Sequence, residues 1–349
     1  MTITLVAGIT HSEAEKILAQ HSKLNQVEVS EIKGTIEMFN SLAISNKDIL
    51  SKPNVLQYVA WRVETRMQVL RECGFTNISV IHFNAFVSIL NRNIKRLKFE
   101  EYLSSDLDVV EHILQQIKDV QLNVNRNCPK LGEIERLSDI RKIIIKKYLA
   151  AKLGLSEGQI KSAFLKYPTL KWRSLQSLRE LIDILENDLA FDRKKSVSNL
   201  GLLRYADPRN IRQLINNMPV IAGSSIRDVI CQCPHIILFD VERIEKILKI
   251  LSEFDISDAQ IQACVEIFTI NPHTVYDRLC RIQHFSELSL LKMNPNYLQL
   301  IFKYSAAVDR LKIMNTLDAT QFTVSVLTGS ERHFVKFGEA DTFKKCLID

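Results

Sequence analysis

The chain has 349 residues, 46% of them hydrophobic and 25% charged, and a net charge of +6. This composition is typical of a globular protein with a large core, and it excludes wholesale disorder, a collagen-like chain and a small disulfide scaffold. Only 10 residues are glycine, less than half of the usual share of about 7%. Because glycine supplies the left-handed positions of tight turns, the sequence favours helices joined by short turns over doubly wound nucleotide folds and β-sandwiches.

The positive charge is concentrated in the middle of the chain. Residues 141–215 contain 16 Lys and Arg against 7 Asp and Glu, so the remaining segments together are slightly acidic. A basic segment in a nearly neutral chain fits either a polyanionic partner or solvated helix faces. Charge alone does not separate these two interpretations.

Several kinds of site and segment are excluded because their sequence signals are absent. The seven cysteines match no zinc-binding spacing and indicate free thiols in a reducing compartment. The first residues resemble neither a secretory signal nor an Arg-rich transit peptide, and no apolar run reaches the ~18 residues of a membrane span. Since no phosphate-binding loop, dinucleotide fingerprint or nucleophile motif is present, we expect a non-enzyme that uses no cofactor or metal and contacts no membrane.

A pattern of a short helix, a proline, an apolar turn and a longer helix recurs along the chain. The prolines are Pro53, Pro168, Pro234 and Pro272. Proline ends the helix before it, and the apolar residues that follow predict a short buried turn of 3-10 type. Segments without the proline fill the gaps, which gives a period of roughly 31 to 39 residues.

Because no single unit can bury its apolar face alone, neighbouring units are expected to stack. We predict an all-α, right- or left-handed superhelical solenoid whose units have two helices and a Pro-started 3-10 turn, with a hairpin allowed only near 322–337. Residues 1–40 would form an N-terminal helical cap, 41–317 about eight repeats and 318–349 a C-terminal cap. Such an array offers a long groove for an extended partner and no compact catalytic pocket.

Basic residues recur at one offset in these units. Arg62, Arg243 and Arg281 lie nine residues after a repeat proline, and duplex DNA, with about one charge per 1.7 Å, requires cations spaced along a path. The alternative is that they pair with carboxylates of the adjacent unit. The predicted nucleic-acid-binding residues are Arg62, Arg66, Arg92, Lys171, Arg173, Arg204, Arg209, Arg212, Arg243, Arg278, Arg281 and Arg310. Trp172, between two of them, is either a stacking ring or part of the core.

The repeat pattern resembles the mitochondrial transcription termination factor family. The segments that carry the resemblance are ILSKPNVL, LRECGF, FLKYPTLK, ICQCPHII, IFTINPHTV and the closing FTVSVLTGSERHFVKF. The resemblance implies a superhelix with a basic groove, located in the mitochondrial matrix, that binds double-stranded mitochondrial DNA as a monomer and terminates or regulates transcription, with other mitochondrial transcription proteins as further partners.

Two alternatives to this function stay open. Some members of the family act on ribosomal RNA, so the chain is alternatively an RNA-binding ribosome-assembly factor. From another class, it is a protein-interaction scaffold built of helical repeats.

Overall fold

The computed structural model describes residues 10–27, 29–120, 122, 136–316 and 323–336. The chain divides into two compact units, Met1–Tyr205 and Ala206–Asp349. Helices dominate both units, and the described residues contain a single sheet, a hairpin of two short strands. The all-α fold is thereby confirmed, whereas the stacking of repeats into a solenoid stays a prediction. No helix of the described ranges has both the length and the apolar character that crossing a bilayer requires.

The first unit contains helices α1 to α12 in its described part. They are α1 (His11–Gln20), α2 (Val29–Ser41), α3 (Asn46–Ser51), α4 (Ala60–Glu72), α5 (Val80–Asn84), α6 (Phe86–Leu90), α7 (Ile94–Phe99), α8 (Val109–Gln115), α9 (Leu137–Leu153), α10 (Glu157–Lys166), α11 (Leu175–Asp183) and α12 (Arg193–Ser198). Its 3-10 turns are Ser22–Gln26, Pro53–Gln57, Pro168–Trp172 and Leu202–Arg204, and a π-helical turn, Ile184–Asp188, follows α11.

The second unit continues with α13 to α21. Its elements are α13 (Pro208–Asn217), β1 (Val220–Ile221), β2 (Ser224–Ser225), α14 (Ile226–Gln232), α15 (Val241–Glu253), α16 (Asp258–Ala263), α17 (Pro272–Ile282), α18 (Ser286–Ser289), α19 (Tyr297–Phe302), α20 (Tyr304–Thr316) and α21 (Val324–Thr328). Two 3-10 turns lie at Pro234–Leu238 and Val265–Thr269.

Four of the 3-10 turns, those that follow α3, α10, α14 and α16, share one local structure. The residue before each turn has φ between −149° and −125° and ends the preceding helix. The third residue of each turn is fully buried, and these residues are Val55, Leu170, Ile236 and Ile267. Proline is tolerated at the first position because the first N–H groups of a helix have no internal partner. The buried turn after proline is therefore confirmed for Pro53, Pro168 and Pro234.

The same expectation is wrong for Pro272. This proline begins the long helix α17 directly, with the Asn271 side chain accepting a hydrogen bond from the N–H of His273, and the 3-10 turn before it, Val265–Thr269, has no proline. Since proline suits the first position of an α-helix as well as that of a 3-10 turn, its spacing alone does not tell the two apart. Arg281 consequently lies in the last turn of α17, whereas Arg62 lies in the first turn of α4.

The hairpin does not lie near 322–337. In that region the described residues 324–328 and 331–336 are helical. Strands β1 and β2 pair antiparallel, with Val220 opposite Ser225 and Ile221 opposite Ser224. Their connecting residues, Ala222 and Gly223, both have positive φ, 49° and 77°, as a type I′ turn requires. An alanine at the first turn position hides this hairpin, because Asn-Gly and Asp-Gly are its usual signals.

Candidate nucleic-acid interface

Several arginines of the long helices donate hydrogen bonds to backbone carbonyls at the C-terminal ends of short helical elements that follow in the chain. In the second unit, Arg243 Nη2 donates to the carbonyl of Thr269 at 3.0 Å, and Arg278 Nη1 donates to those of Ile301 and Phe302 at 2.9 and 3.0 Å. Arg310 Nη1 donates to the carbonyl of Gly329 at 2.8 Å. The last carbonyls of a helix have no partner within it, so these guanidinium groups stabilise the packing of successive elements.

Two arginines of the first unit make the same kind of contact. Arg66 Nη1 donates to the carbonyl of Phe83 at 2.7 Å. Arg141 Nη2 donates to the carbonyl of Arg173 at 2.6 Å. We call Arg66, Arg141, Arg243, Arg278 and Arg310 the carbonyl-binding arginines.

A cavity in the first unit brings four of the predicted binding residues together. Its volume is about 320 Å³. It is lined by Trp61, Arg62, Thr65, Arg66, Phe86, Val87, Thr169, Trp172, Arg173, Arg204 and Tyr205. Four arginines and four aromatic rings thus form its wall, and none of the described residues that line it is acidic. We call it the arginine–aromatic cavity.

Local structure explains how these side chains meet. Helix α4 contributes Trp61, Arg62 and Arg66, while the buried turn Pro168–Trp172 contributes Thr169 and Trp172. The rings of Phe86 and Trp172 meet edge to face, with centroids 6.0 Å apart.

Each of the four guanidinium groups lies near an aromatic ring. Arg66 stacks 3.9 Å from the ring centroid of Tyr58, Arg204 4.2 Å from that of Tyr205, and Arg173 5.5 Å from that of Trp61. Arg62 lies 5.8 Å from the Trp61 ring. Such stacking holds a cation in place while leaving its N–H groups able to donate.

The cavity has a buried floor and an exposed rim. Arg173 is 3% exposed and donates to Ser177 Oγ at 2.5 Å, whereas Arg62 and Tyr205 are exposed. Burial lowers the pKa of the Arg66 guanidinium below its ordinary value, with the neighbouring charge of Arg62 acting in the same direction. Two buried polar atoms of the wall, Thr169 Oγ1 and Arg204 Nε, have no hydrogen-bond partner among the described residues. Positive charge, aromatic faces and unused polar atoms are what an anionic ligand with a ring needs.

The structure places the other predicted residues in different settings. Lys171 holds its ammonium 4.4 Å from the Trp172 ring centroid, beside the cavity. Arg92 pairs with Glu100, and Arg209 pairs with Asp207 at 3.1 Å. Arg212 and Arg281 are exposed on α13 and α17. None of these positions tests nucleic-acid contact, so the whole set stays a prediction.

Sequence reasoning missed part of the cavity wall, although a signal was present. Trp61, Thr65, Phe86, Val87 and Thr169 were not among the predicted residues. Arginine and an aromatic residue are neighbours three times, at 61–62, 172–173 and 204–205, and all three pairs line the cavity. The occurrence of an arginine next to an aromatic residue therefore identifies part of the cavity wall from the sequence. Phe86 and Val87 join the wall only through tertiary packing.

Comparison with known proteins gives one match. The chain is 27% identical over 334 residues to "Transcription termination factor 5, mitochondrial" of Drosophila melanogaster. The alignment covers 95% of this chain and 59% of the relative, so the chain spans about three fifths of the length of that protein. No family model matches the chain, and no solved structure matches it.

Fold and site together define a predominantly helical protein with Pro-started 3-10 turns and arginine-rich long helices. This is the class that the repeat pattern resembles. The match over nearly the whole chain supports its membership in the mitochondrial transcription termination factor family, and the resemblance is thereby confirmed.

Proposed function

We propose that this chain is a non-enzymatic nucleic-acid-binding protein of mitochondria that acts on transcription by binding double-stranded DNA. The observation that carries the proposal is the arginine–aromatic cavity, whose wall has four guanidinium groups and, among the described residues, no carboxylate. Arginine binds phosphate through several donors at once, and aromatic faces stack on any base. The name of the Drosophila relative supports the mitochondrial and transcriptional part of the proposal.

Tryptophan emission tests this proposal directly. The chain contains two tryptophans, Trp61 and Trp172, and both line the cavity, so a change in emission reports on it alone. Duplex DNA should quench the emission of the intact protein and protect it from iodide, with an affinity that falls steeply with salt because phosphate contacts release counterions. Unchanged emission at saturating DNA, together with no binding by fluorescence anisotropy, would refute the proposal.

A competition experiment, read out by the fluorescence anisotropy of a labelled DNA duplex, decides between DNA and RNA. Unlabelled duplex DNA, single-stranded DNA and an RNA hairpin compete for the labelled duplex at one salt concentration. We expect the duplex to compete best, and stronger competition by the RNA hairpin would favour the ribosome-assembly alternative.

A further inference from the structure

A second basic surface lies beside the cavity in the first unit. Lys142 and Lys146 are one turn apart on α9 and therefore share a face of that helix. Helix α10 packs against this face, with Lys146 Nζ 5.4 Å from the ring centroid of Phe164, and Lys161 lies three residues before Phe164. The buried turn Pro168–Trp172 adds Lys171, whose carbonyl accepts a hydrogen bond from Arg141 Nε at 3.4 Å. We call Lys142, Lys146, Lys161 and Lys171 the lysine surface.

These four ammonium groups form no direct ion pair with a carboxylate of a described residue, unlike Lys152 of the same unit. No carboxylate of a described residue lies within 4.0 Å of any of them, whereas Lys152 pairs with Asp119 at 3.1 Å and with Asp183 at 3.2 Å. Burial, and then the charges of Lys142 and Lys161, lower the pKa of Lys146, while the charge of Glu157 opposes that shift. Burial, and then the charge of Lys142, lower the pKa of Lys171, while the charge of Asp139 opposes that shift.

The lysines therefore repel one another in the free protein. Neighbouring like charges raise the free energy of the folded chain, and a bound polyanion removes that cost. Glu157 and Asp139 offset this repulsion only at longer range, without a direct ion pair. Neighbouring lysines without a direct carboxylate partner are thus better placed to bind an anion than a lysine such as Lys152, which is already paired.

We propose that the lysine surface binds the phosphodiester backbone of the nucleic acid, along a path that enters the arginine–aromatic cavity at Trp172. The proposal rests on the proposed function, because it extends the same ligand beyond the cavity. Lys171 joins the two regions, since its ammonium lies 4.4 Å from the centroid of the indole ring that lines the cavity. A lysine ammonium is a compact charge without directional demands, which suits contact with phosphates of any sequence.

The test removes three charges without touching the cavity. The variant K142Q/K146Q/K161Q is compared with the control K23Q/K33Q/K47Q, which removes three exposed lysines of the same unit. The probe is a fluorescein-labelled duplex, and anisotropy gives log K against log salt for the intact chain. We expect the slope of the first variant to weaken by about two to three, since each lost phosphate contact removes about 0.9. The control should keep the wild-type slope, and DNA at saturation should still quench tryptophan emission in both.

Failure of this inference is distinguishable from failure of the proposed function. If the wild type binds DNA and the first variant keeps its slope, the lysine surface is not a contact, while the function stands. If the wild type neither binds DNA nor changes its emission, the function fails and this inference falls with it. Lysine-dependent binding of polyglutamate or of phosphatidylserine vesicles in preference to DNA would also overturn the inference. Should the triple variant melt early, the single changes replace it, each weakening the slope by about one.

Discussion

The guanidinium of Arg141 lies 2.8 Å from the carboxylate of Glu72, and both side chains are buried. Arg141 also donates to the carbonyl of Arg173, and Glu72 accepts a hydrogen bond from the N–H of Gln176 at 3.2 Å. The pair therefore ties α4, which carries Arg62 and Arg66, to the segment that carries Trp172 and Arg173. It holds the two main walls of the arginine–aromatic cavity in place.

Breaking this pair should destabilise the first unit strongly. In the variant R141M, the Glu72 carboxylate stays buried without its cation, and removing one partner of a buried pair costs about 3–5 kcal/mol. Burial already raises the pKa of Glu72, and the charge of Arg141 opposes that rise. Urea unfolding measures the loss, and R136M, at the exposed residue just before α9, should stay within about 0.5 kcal/mol of wild type.

A double variant separates the lost pair from lost packing. In E72L/R141M no buried charge is left uncompensated, so it should recover part of the stability that R141M loses. A loss below about 1 kcal/mol in R141M would contradict a buried ion pair at this place.

Two arginines of one helix should behave in opposite ways. Arg278 donates to the carbonyls of Ile301 and Phe302, whereas Arg281, one turn later on α17, is exposed. R278A should lower the free energy of unfolding by about 1.5–3 kcal/mol, the usual contribution of hydrogen bonds to a charged group, and R281A should leave it unchanged. Thermal and urea unfolding check both variants, and equal effects of the two changes would mean that the carbonyl contacts contribute nothing.

Local features of the fold were predictable from sequence, because they depend on near neighbours. The turns after Pro53, Pro168 and Pro234 follow from the missing N–H of proline and the apolar residues behind it. The role of Pro272 was not predictable from its spacing, since proline fits the first position of both helix types.

The site was harder to predict, because its geometry arises from packing. Arg141 counted as one more charge in a basic segment, yet it is fully buried against Glu72, 69 residues away in the chain. The offset from proline grouped Arg62 with Arg243 and Arg281. Their contacts separate them, since Arg243 binds a backbone carbonyl and the other two are exposed.

His82 should make stability fall in mild acid. Its Nδ1 accepts a hydrogen bond from the N–H of Ser79 at 3.0 Å, and its Nε2 is buried without a partner among the described residues. Burial lowers the pKa of His82 below its ordinary value, so folding favours the neutral ring. Stability is then present above the ordinary pKa of about 6.5 and is lost as the pH falls below it, because the unfolded chain binds the proton first.

The test for His82 compares the stability of the wild type and of a variant at two pH values. Melting is recorded at about pH 7.5 and about pH 5.5, on either side of the ordinary histidine pKa, for the wild type and for H82F, which cannot titrate. The wild type should lose more stability on acidification than H82F, by at most about 1.4 kcal/mol per pH unit. An equal loss in both proteins would show that other groups cause the acid sensitivity.

The last prediction concerns Arg62 and Arg243, which the sequence pattern treats as equivalent. Arg62 is exposed at the rim of the cavity, and no hydrogen bond joins its side chain to another described residue. Arg243 is half-buried, stacks 3.9 Å from the ring centroid of Phe239 and donates to the carbonyl of Thr269 at 3.0 Å. We therefore expect Arg62 to contact phosphate and Arg243 to stabilise the fold.

Melting and affinity, measured on the same variants, separate the two roles. R62A should melt like wild type, bind all duplex sequences more weakly to the same extent, and lower the salt slope by about one. R62K, which keeps the charge, should restore most of that slope. R243A should melt earlier and keep its affinity per folded molecule, since its guanidinium is already bound to a carbonyl. If R62A binds like wild type while R243A loses affinity without melting earlier, the nucleic acid contacts the buried carbonyl-binding arginine, and the path along the exposed rim of the cavity is wrong.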